Sequence, residues 1–220
     1  MIDTRDRTES ASRHTREIVT ATVGRSGGVE GNARLTAAIA VVLLLLLATE
    51  GVTILFLRPL LSVHVFVGML LIPPVALKLG STGWRFVRYY AGSGTYRLKG
   101  PPALLLRLVI APGVVASTIL LFGSGVALLL LGPGGGIVLG LHKASFVLWF
   151  GTMSLHVLAH ISKLPGLAVA DLRPATRLPS ARFRVGIVLT AVVGGVVLAA
   201  GTFHLGHAWL DWVNVRRFDQ

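Results

Sequence analysis

Five apolar stretches, divided by short polar or glycine-rich breaks, dominate the chain at about 35–57, 61–80, 104–131, 137–163 and 184–206. Each is long enough to cross the roughly 30 Å hydrocarbon core of a bilayer as a helix. The breaks at 58–60 and 132–136 are short and predict tight hairpins. The second, Gly132-Pro133-Gly134-Gly135-Gly136, combines the two strongest helix breakers. Longer loops are expected over 81–103 and 164–183, and Pro112-Gly113 is expected to kink the third helix. Residues 1–34 are polar, mixed in charge and lack the apolar run of a secretory signal, so they read as a disordered cytoplasmic tail. Residues 207–220 read as a short extracytoplasmic tail. The predicted fold class is an all-α membrane protein with its transmembrane bundle over 35–206.

Composition agrees with the pattern. The chain is 53% hydrophobic and 14% charged, with mean hydropathy +0.75. A soluble domain carries charge nearer a quarter. The formal net charge of +12 taken alone would suit a nucleic-acid binder, but the placement of the basic residues predicts no nucleic-acid partner. Six Arg lie in the N-terminal tail, six Lys or Arg between Lys78 and Arg107, and five between Lys163 and Arg184. Only Arg58, Lys143, Arg216 and Arg217 fall on the other side, so the positive-inside bias predicts a cytoplasmic N-terminus and an extracytoplasmic C-terminus. There is no cysteine. Disulfides, thiolate iron–sulfur ligation and C-x-x-C-H haem attachment are therefore excluded, and any redox cofactor is held without covalent links.

The candidate chemistry lies in nitrogen side chains inside the apolar runs. The second run carries His64 and, fourteen positions later, Lys78; the fourth carries His142 and, at the same interval, His156. Fourteen residues is almost four turns, so each pair shares a helix face with about 21 Å between its members. The predicted topology makes these two helices parallel, so His64 and His142 share an outer level, and Lys78 and His156 an inner one. A single intramembrane histidine is explained as well by an interhelical hydrogen bond as by ligation. Two at one depth favour haem ligation, because bis-imidazole coordination needs rings on opposite faces of one porphyrin.

The paired spacing resembles the bacterial integral membrane cytochrome b group, in which a four-helix bundle carries two b haems on histidines of its second and fourth helices. The stretches His64-Val-Phe-Val-Gly68, Leu71-Ile-Pro-Pro74, Gly80-Ser-Thr-Gly-Trp-Arg-Phe-Val-Arg-Tyr-Tyr90 and His142-Lys-Ala-Ser-Phe-Val-Leu-Trp-Phe150 also resemble small subunits of that kind. The resemblance covers about 35–206 and implies a four-helix cytochrome b-like bundle with a fifth transmembrane helix in a bacterial cytoplasmic membrane. It implies that His64 and His142 are axial ligands of an outer haem b and that His156 matches an inner ligand. The inner partner position holds Lys78, which binds iron only when deprotonated and otherwise reads as an interfacial anchor. One haem is expected, with a second only through His/Lys ligation, five-coordination or a partner subunit. The implied function is electron transfer between a membrane quinone pool and a redox partner on the outer face. By analogy that partner is a molybdenum oxidoreductase, with this chain an electron-transfer subunit rather than a stand-alone enzyme.

Other polar positions remain open. His156 and His160, at i and i+4, offer zinc only two ligands and no acidic helper. His204 reads as a propionate, quinone or partner contact, or as an interfacial histidine like His207. Glu50, the only acidic residue deep in an apolar run, suits a proton relay, a quinol contact or a neutral hydrogen bond to a neighbouring helix. Trp84, Arg85, Arg88, Tyr89, Tyr90, Tyr96, Arg97 and Lys99 have the aromatic–basic character of a lipid headgroup zone. Gly92-Ser-Gly94 is too short for a nucleotide fingerprint. The competing class is a non-haem polytopic membrane protein, a small transporter or an assembly scaffold, in which these groups line a polar path or pack helices.

Overall fold

The computed structural model describes residues 4–92, 109–173, 178 and 180–215, with side chains described for 28–92, 109–162, 166–173, 178 and 180–213. Among the described residues the chain is all-helical, without strands. The helices are α1 (Thr4–Leu55), α2 (Leu57–Tyr90), α3 (Ala111–Leu131), α4 (Gly136–His160), α5 (Leu164–Val169), α6 (Ala181–Thr202) and α7 (His207–Val215). Among the described residues five segments are long and apolar enough to cross a membrane: Gly28–Leu55, Leu57–Tyr90, Ala111–Gly134, Gly136–His160 and Ala181–Val213. Their number and order are those of the apolar pattern, and the chain is a multi-pass membrane protein.

Packing has the polarity that a bilayer imposes. Thr53, Ser117, Thr118, Ser124 and Ser145 are buried, whereas Leu45, Leu130, Val147, Leu158 and Val197 face outward. In lipid, burial is no driving force for aliphatic side chains, so small and hydroxyl residues share the helix contacts with them.

Several boundaries differ from expectation. No loop forms at 58–60: Phe56 alone separates α1 from α2, and the irregular backbone falls inside α2 at Leu60 (φ −108°, ψ 15°). The helices nevertheless turn back on one another, since Thr53 bonds to His64 while Asn32 and Thr36 bond to Ser81. The second helix does not stop at residue 80. Its 34 residues run on to Tyr90, a length of about 51 Å that exceeds the hydrocarbon core. Trp84, Arg85, Arg88, Tyr89 and Tyr90 are thus helical rather than looped, with Arg88 lying 5.7 Å from the Trp84 ring. Tyr96, Arg97, Lys99 and Gly94 lie outside the described residues.

Pro112 stands in the first turn of α3, directly after residues 109–110, which are π-helical; residues 104–108 of the expected helix lie outside the described residues. The 132–136 break is present as a one-turn 3-10 segment, Gly132–Gly134, with Gly132 at φ 66°. The 164–183 region contains the short helix α5, and α6 starts at Ala181 rather than 184. At the other end of α6, a 3-10 turn at Phe203–Gly206 leads into α7, so residues 207–215 are helical. Likewise α1 begins at Thr4 and runs through the polar segment.

Two packing units compose the bundle. The first joins α1, α2 and α6 around Ile39, Leu43, Val67, Leu71 and Val188. Its tightest contact follows from Pro74, which has no N–H to give the Leu70 carbonyl one turn earlier. Gly195 of α6 packs onto that carbonyl oxygen, and a β-carbon there would collide with it. The second unit is the α3–α4 pair, joined by polar bonds at several levels. Trp149 Nε1 donates to Thr118 Oγ1 at 3.0 Å, and Ser117 lies 3.4 Å from Thr152. The 203–213 segment ties the units together at the hairpin end. Trp209 Nε1 donates to the Leu128 carbonyl at 2.8 Å, while Gly206 packs on Val65 and Leu129.

At the opposite end, Asp171 clamps three elements. Its carboxylate accepts from Arg184 Nε of α6 at 2.5 Å and from Arg34 Nη1 of α1 at 3.0 Å. The Arg184 hydrogen bond, helped by Arg34, holds Asp171 below the usual carboxylate range although burial pushes the other way.

Candidate functional site

The site is built on α1, α2, α3 and α4 near the hairpin end. His64 stands two turns into α2, and its Nδ1 lies 2.9 Å from Oε1 of Glu50 on α1. Thr53 Oγ1 is 3.0 Å from the same nitrogen. Thr53 donates its hydroxyl proton to the Glu50 carbonyl at 2.6 Å, so toward His64 it acts as an acceptor. The network therefore assigns the ring proton of neutral His64 to Nδ1. The group is enclosed: Thr53 is 1% exposed, and the Glu50 and His64 side chains 13% and 22%.

His142 has a parallel arrangement on the other unit. Its Nδ1 lies 3.2 Å from the Leu121 carbonyl and 3.1 Å from Ser124 Oγ, both on α3. A carbonyl oxygen only accepts, so Nδ1 carries the proton here too. Gly125 makes room for the ring, since a β-carbon at that position would stand 3.2 Å from His142 Cε1.

Both imidazoles thus have Nδ1 engaged by the protein. Among the described residues neither Nε2 has a hydrogen-bond partner. In the neutral ring this second nitrogen carries the lone pair, the form in which histidine binds a metal. The two rings lie close enough for their charges to interact, yet α2 and α4 are not among the closely packed helix pairs. These two lone-pair nitrogens are the candidate donors of the site for a metal-centred cofactor.

The other level is different. Lys78 and His156 also lie within electrostatic reach, as the fourteen-residue register predicts. Lys78, however, donates Nζ to the Thr36 carbonyl of α1 at 2.9 Å. Asn32, Thr36 and Ser81 continue this α1–α2 network: Asn32 donates to the Ser81 carbonyl and Thr36 bonds to Ser81 Oγ. Here Lys78 joins two helices, and its nitrogen is aimed at backbone. The His156 ring stacks on His160 at 4.7 Å, and the exposed His160 directs Nδ1 to the His156 carbonyl. Among the described residues no group of three or more His, Cys, Asp or Glu side chains suits a metal ion. His204 and His207 are exposed on the 203–213 segment, where His207 meets the edge of Phe203.

The sequence singled out His64, His142 and Glu50 separately, and the structure joins Glu50 to His64. Thr53, Ser124, the Leu121 carbonyl and Gly125 were not singled out. The available signal was weak: small or hydroxyl residues within apolar helices mark contact faces. Comparisons with known protein families, curated proteins and solved structures yield no match to this chain.

Proposed function

We propose that the chain is a membrane cytochrome b-like subunit that binds one haem b non-covalently through His64 and His142. The single observation that carries this reading is the matched state of the two imidazoles. Each has Nδ1 held by the protein and, among the described residues, no hydrogen-bond partner at Nε2, on helices that do not pack closely together. When bound, the haem supplies a one-electron carrier. The chain's own residues do the rest. Glu50 and Thr53 fix the His64 tautomer, and Ser124 with the Leu121 carbonyl fixes that of His142. Gly125 keeps α3 clear of the His142 ring, and the apolar packing keeps water from the site. The four helices α1–α4 form the cytochrome b-like bundle in this reading, with α6 the fifth span.

Lys78 and His156 do not provide a second bis-imidazole pair, and the Lys78 bond to Thr36 favours a helix-packing role. The positive-inside bias orients the N-terminus to the cytoplasm and puts His64 and His142 near the outer surface of a bacterial cytoplasmic membrane. Electrons would pass between a membrane quinone and an outer-face redox protein, a molybdenum oxidoreductase by family analogy. His204 belongs to this surface as a partner or propionate contact.

A second reading rests on the Glu50–His64 contact alone. An acid–imidazole pair inside a span also suits a polar path through a non-haem membrane protein, a transporter or assembly scaffold. Absorption of protein purified from haem-sufficient cells separates the two. The haem reading predicts a Soret band and a low-spin reduced α-band, both lost in His64→Ala. Folded, colourless wild-type protein overturns it.

A further inference from the structure

We infer that the two iron ligands are unequal: His64, backed by Glu50, is the fixed ligand of the bound haem, and His142 is the exchangeable one. This rests on the haem reading above and goes beyond it in assigning different work to the two histidines.

The partners of the two Nδ1 atoms differ in kind. His64 meets a carboxylate oxygen at 2.9 Å and a hydroxyl at 3.0 Å. His142 meets a neutral hydroxyl at 3.1 Å and a neutral carbonyl at 3.2 Å. Glu50 makes the shortest of these four contacts, and it alone brings a carboxyl group to an imidazole. A carboxylate behind a metal-bound imidazole also raises the basicity of the ligating nitrogen. His64 is therefore the stronger electron donor, and Glu50 is a positioning residue that favours the oxidised iron.

The frames differ as well. Gly68 leaves room for the Glu50 carboxylate, since a β-carbon there would stand 3.5 Å from Oε1, and Thr53 reaches Oε2 at 3.3 Å. The helix carrying His64 packs along both α1 and α6, with Leu71 1% exposed in the shared core. The helix carrying His142 packs chiefly on α3 and buries only Ser145 and Trp149. A ligand on a singly supported helix moves away at lower cost than one on a helix supported from two sides.

The test uses full-length, haem-loaded protein and carbon monoxide as the ligand probe. In reduced wild type carbon monoxide binds only slowly, because it must displace His142. His142→Ala keeps the haem in a five-coordinate, high-spin form that binds carbon monoxide on reduction, whereas His64→Ala loses the haem. Glu50→Gln, which preserves size and hydrogen bonding, keeps haem stoichiometry and shifts the midpoint potential upward; Ser124→Ala shifts it less. Equal haem loss from the two histidine variants, or a Glu50→Gln potential equal to wild type, overturns the inequality while leaving the haem reading standing. Wild-type protein that folds without haem overturns the haem reading itself.

Discussion

Oε1 of Glu50 stands 2.9 Å from Nδ1 of His64, across the interface between the first and second helices. Two polar groups inside apolar spans are each costly, and together they offset much of that cost. Glu50 directs its carboxylate to the neighbouring helix, and that contact engages Nδ1 while Nε2 has no hydrogen-bond partner among the described residues. The same orientation recurs at His142 through different partners. Two unrelated local solutions leave the same nitrogen available.

The closest helix contact lies elsewhere, where Gly195 meets the Leu70 carbonyl that Pro74 leaves without its helical donor. Gly195→Ala forces α2 and α6 apart and is expected to cost about 1–3 kcal/mol, the range for overpacking a filled interior. Gly194→Ala, one residue away and with open space at its β-position, is the control and leaves stability unchanged. Thermal unfolding in detergent compares the two. Equal melting temperatures for Gly195→Ala and wild type would show that α2 and α6 do not meet here.

Gly125 determines where the His142 ring can sit. Gly125→Val pushes the imidazole off its Leu121 and Ser124 contacts and lowers haem occupancy severalfold. Gly123→Ala, with nothing near its β-position, does not. Haem-to-protein absorbance ratios after purification report the difference.

Asp171 makes stability pH-dependent. Arg184 and Arg34 depress its pKa, so the clamp contributes fully above the unfolded value of about 3.9. That contribution is lost as pH falls through the lower folded value. Asp171→Asn lacks the clamp at every pH. The melting temperature of wild type should therefore exceed that of Asp171→Asn at pH 7 and converge with it well below pH 4. A gap that stays constant down to pH 3 would count against the charge-based clamp.

Orientation is testable because the chain has no cysteine of its own. Ile137 at the hairpin end is 92% exposed, and Val87 near the end of α2 is 56% exposed. In intact cells, a membrane-impermeant maleimide should label Ile137→Cys, and should label Val87→Cys only after permeabilisation. The reverse pattern would invert the N-in assignment.

The apolar pattern carried the number, order and rough limits of the spans, because a membrane helix must satisfy its own backbone and show a long apolar run. Where it failed, a local rule gave way to context. Arg58-Pro59-Leu60 reads as a loop, yet Phe56 suffices for the turn and Pro59 is absorbed in the first helical turn. Trp84 to Tyr90 reads as loop because it is polar and aromatic, but a helix continues past the hydrocarbon when its first turns are already formed. The fourteen-residue register of His64, Lys78, His142 and His156 was legible, and the structure brings His142 within electrostatic reach of His64 and His156 within that of Lys78. Thr53, Ser124 and Gly125 were not legible as partners. Hydroxyl and glycine residues recur throughout these helices, and only the crossing geometry selects the ones that touch an imidazole.

A pyridine-haemochrome assay on purified full-length protein, with His64→Ala and His142→Ala alongside, tests the central claim most directly. One haem b per chain is expected in the wild type, none in His64→Ala, and retention in an altered, high-spin form in His142→Ala. Folded wild-type protein with no haem, or a stoichiometry of two haems per chain, contradicts it.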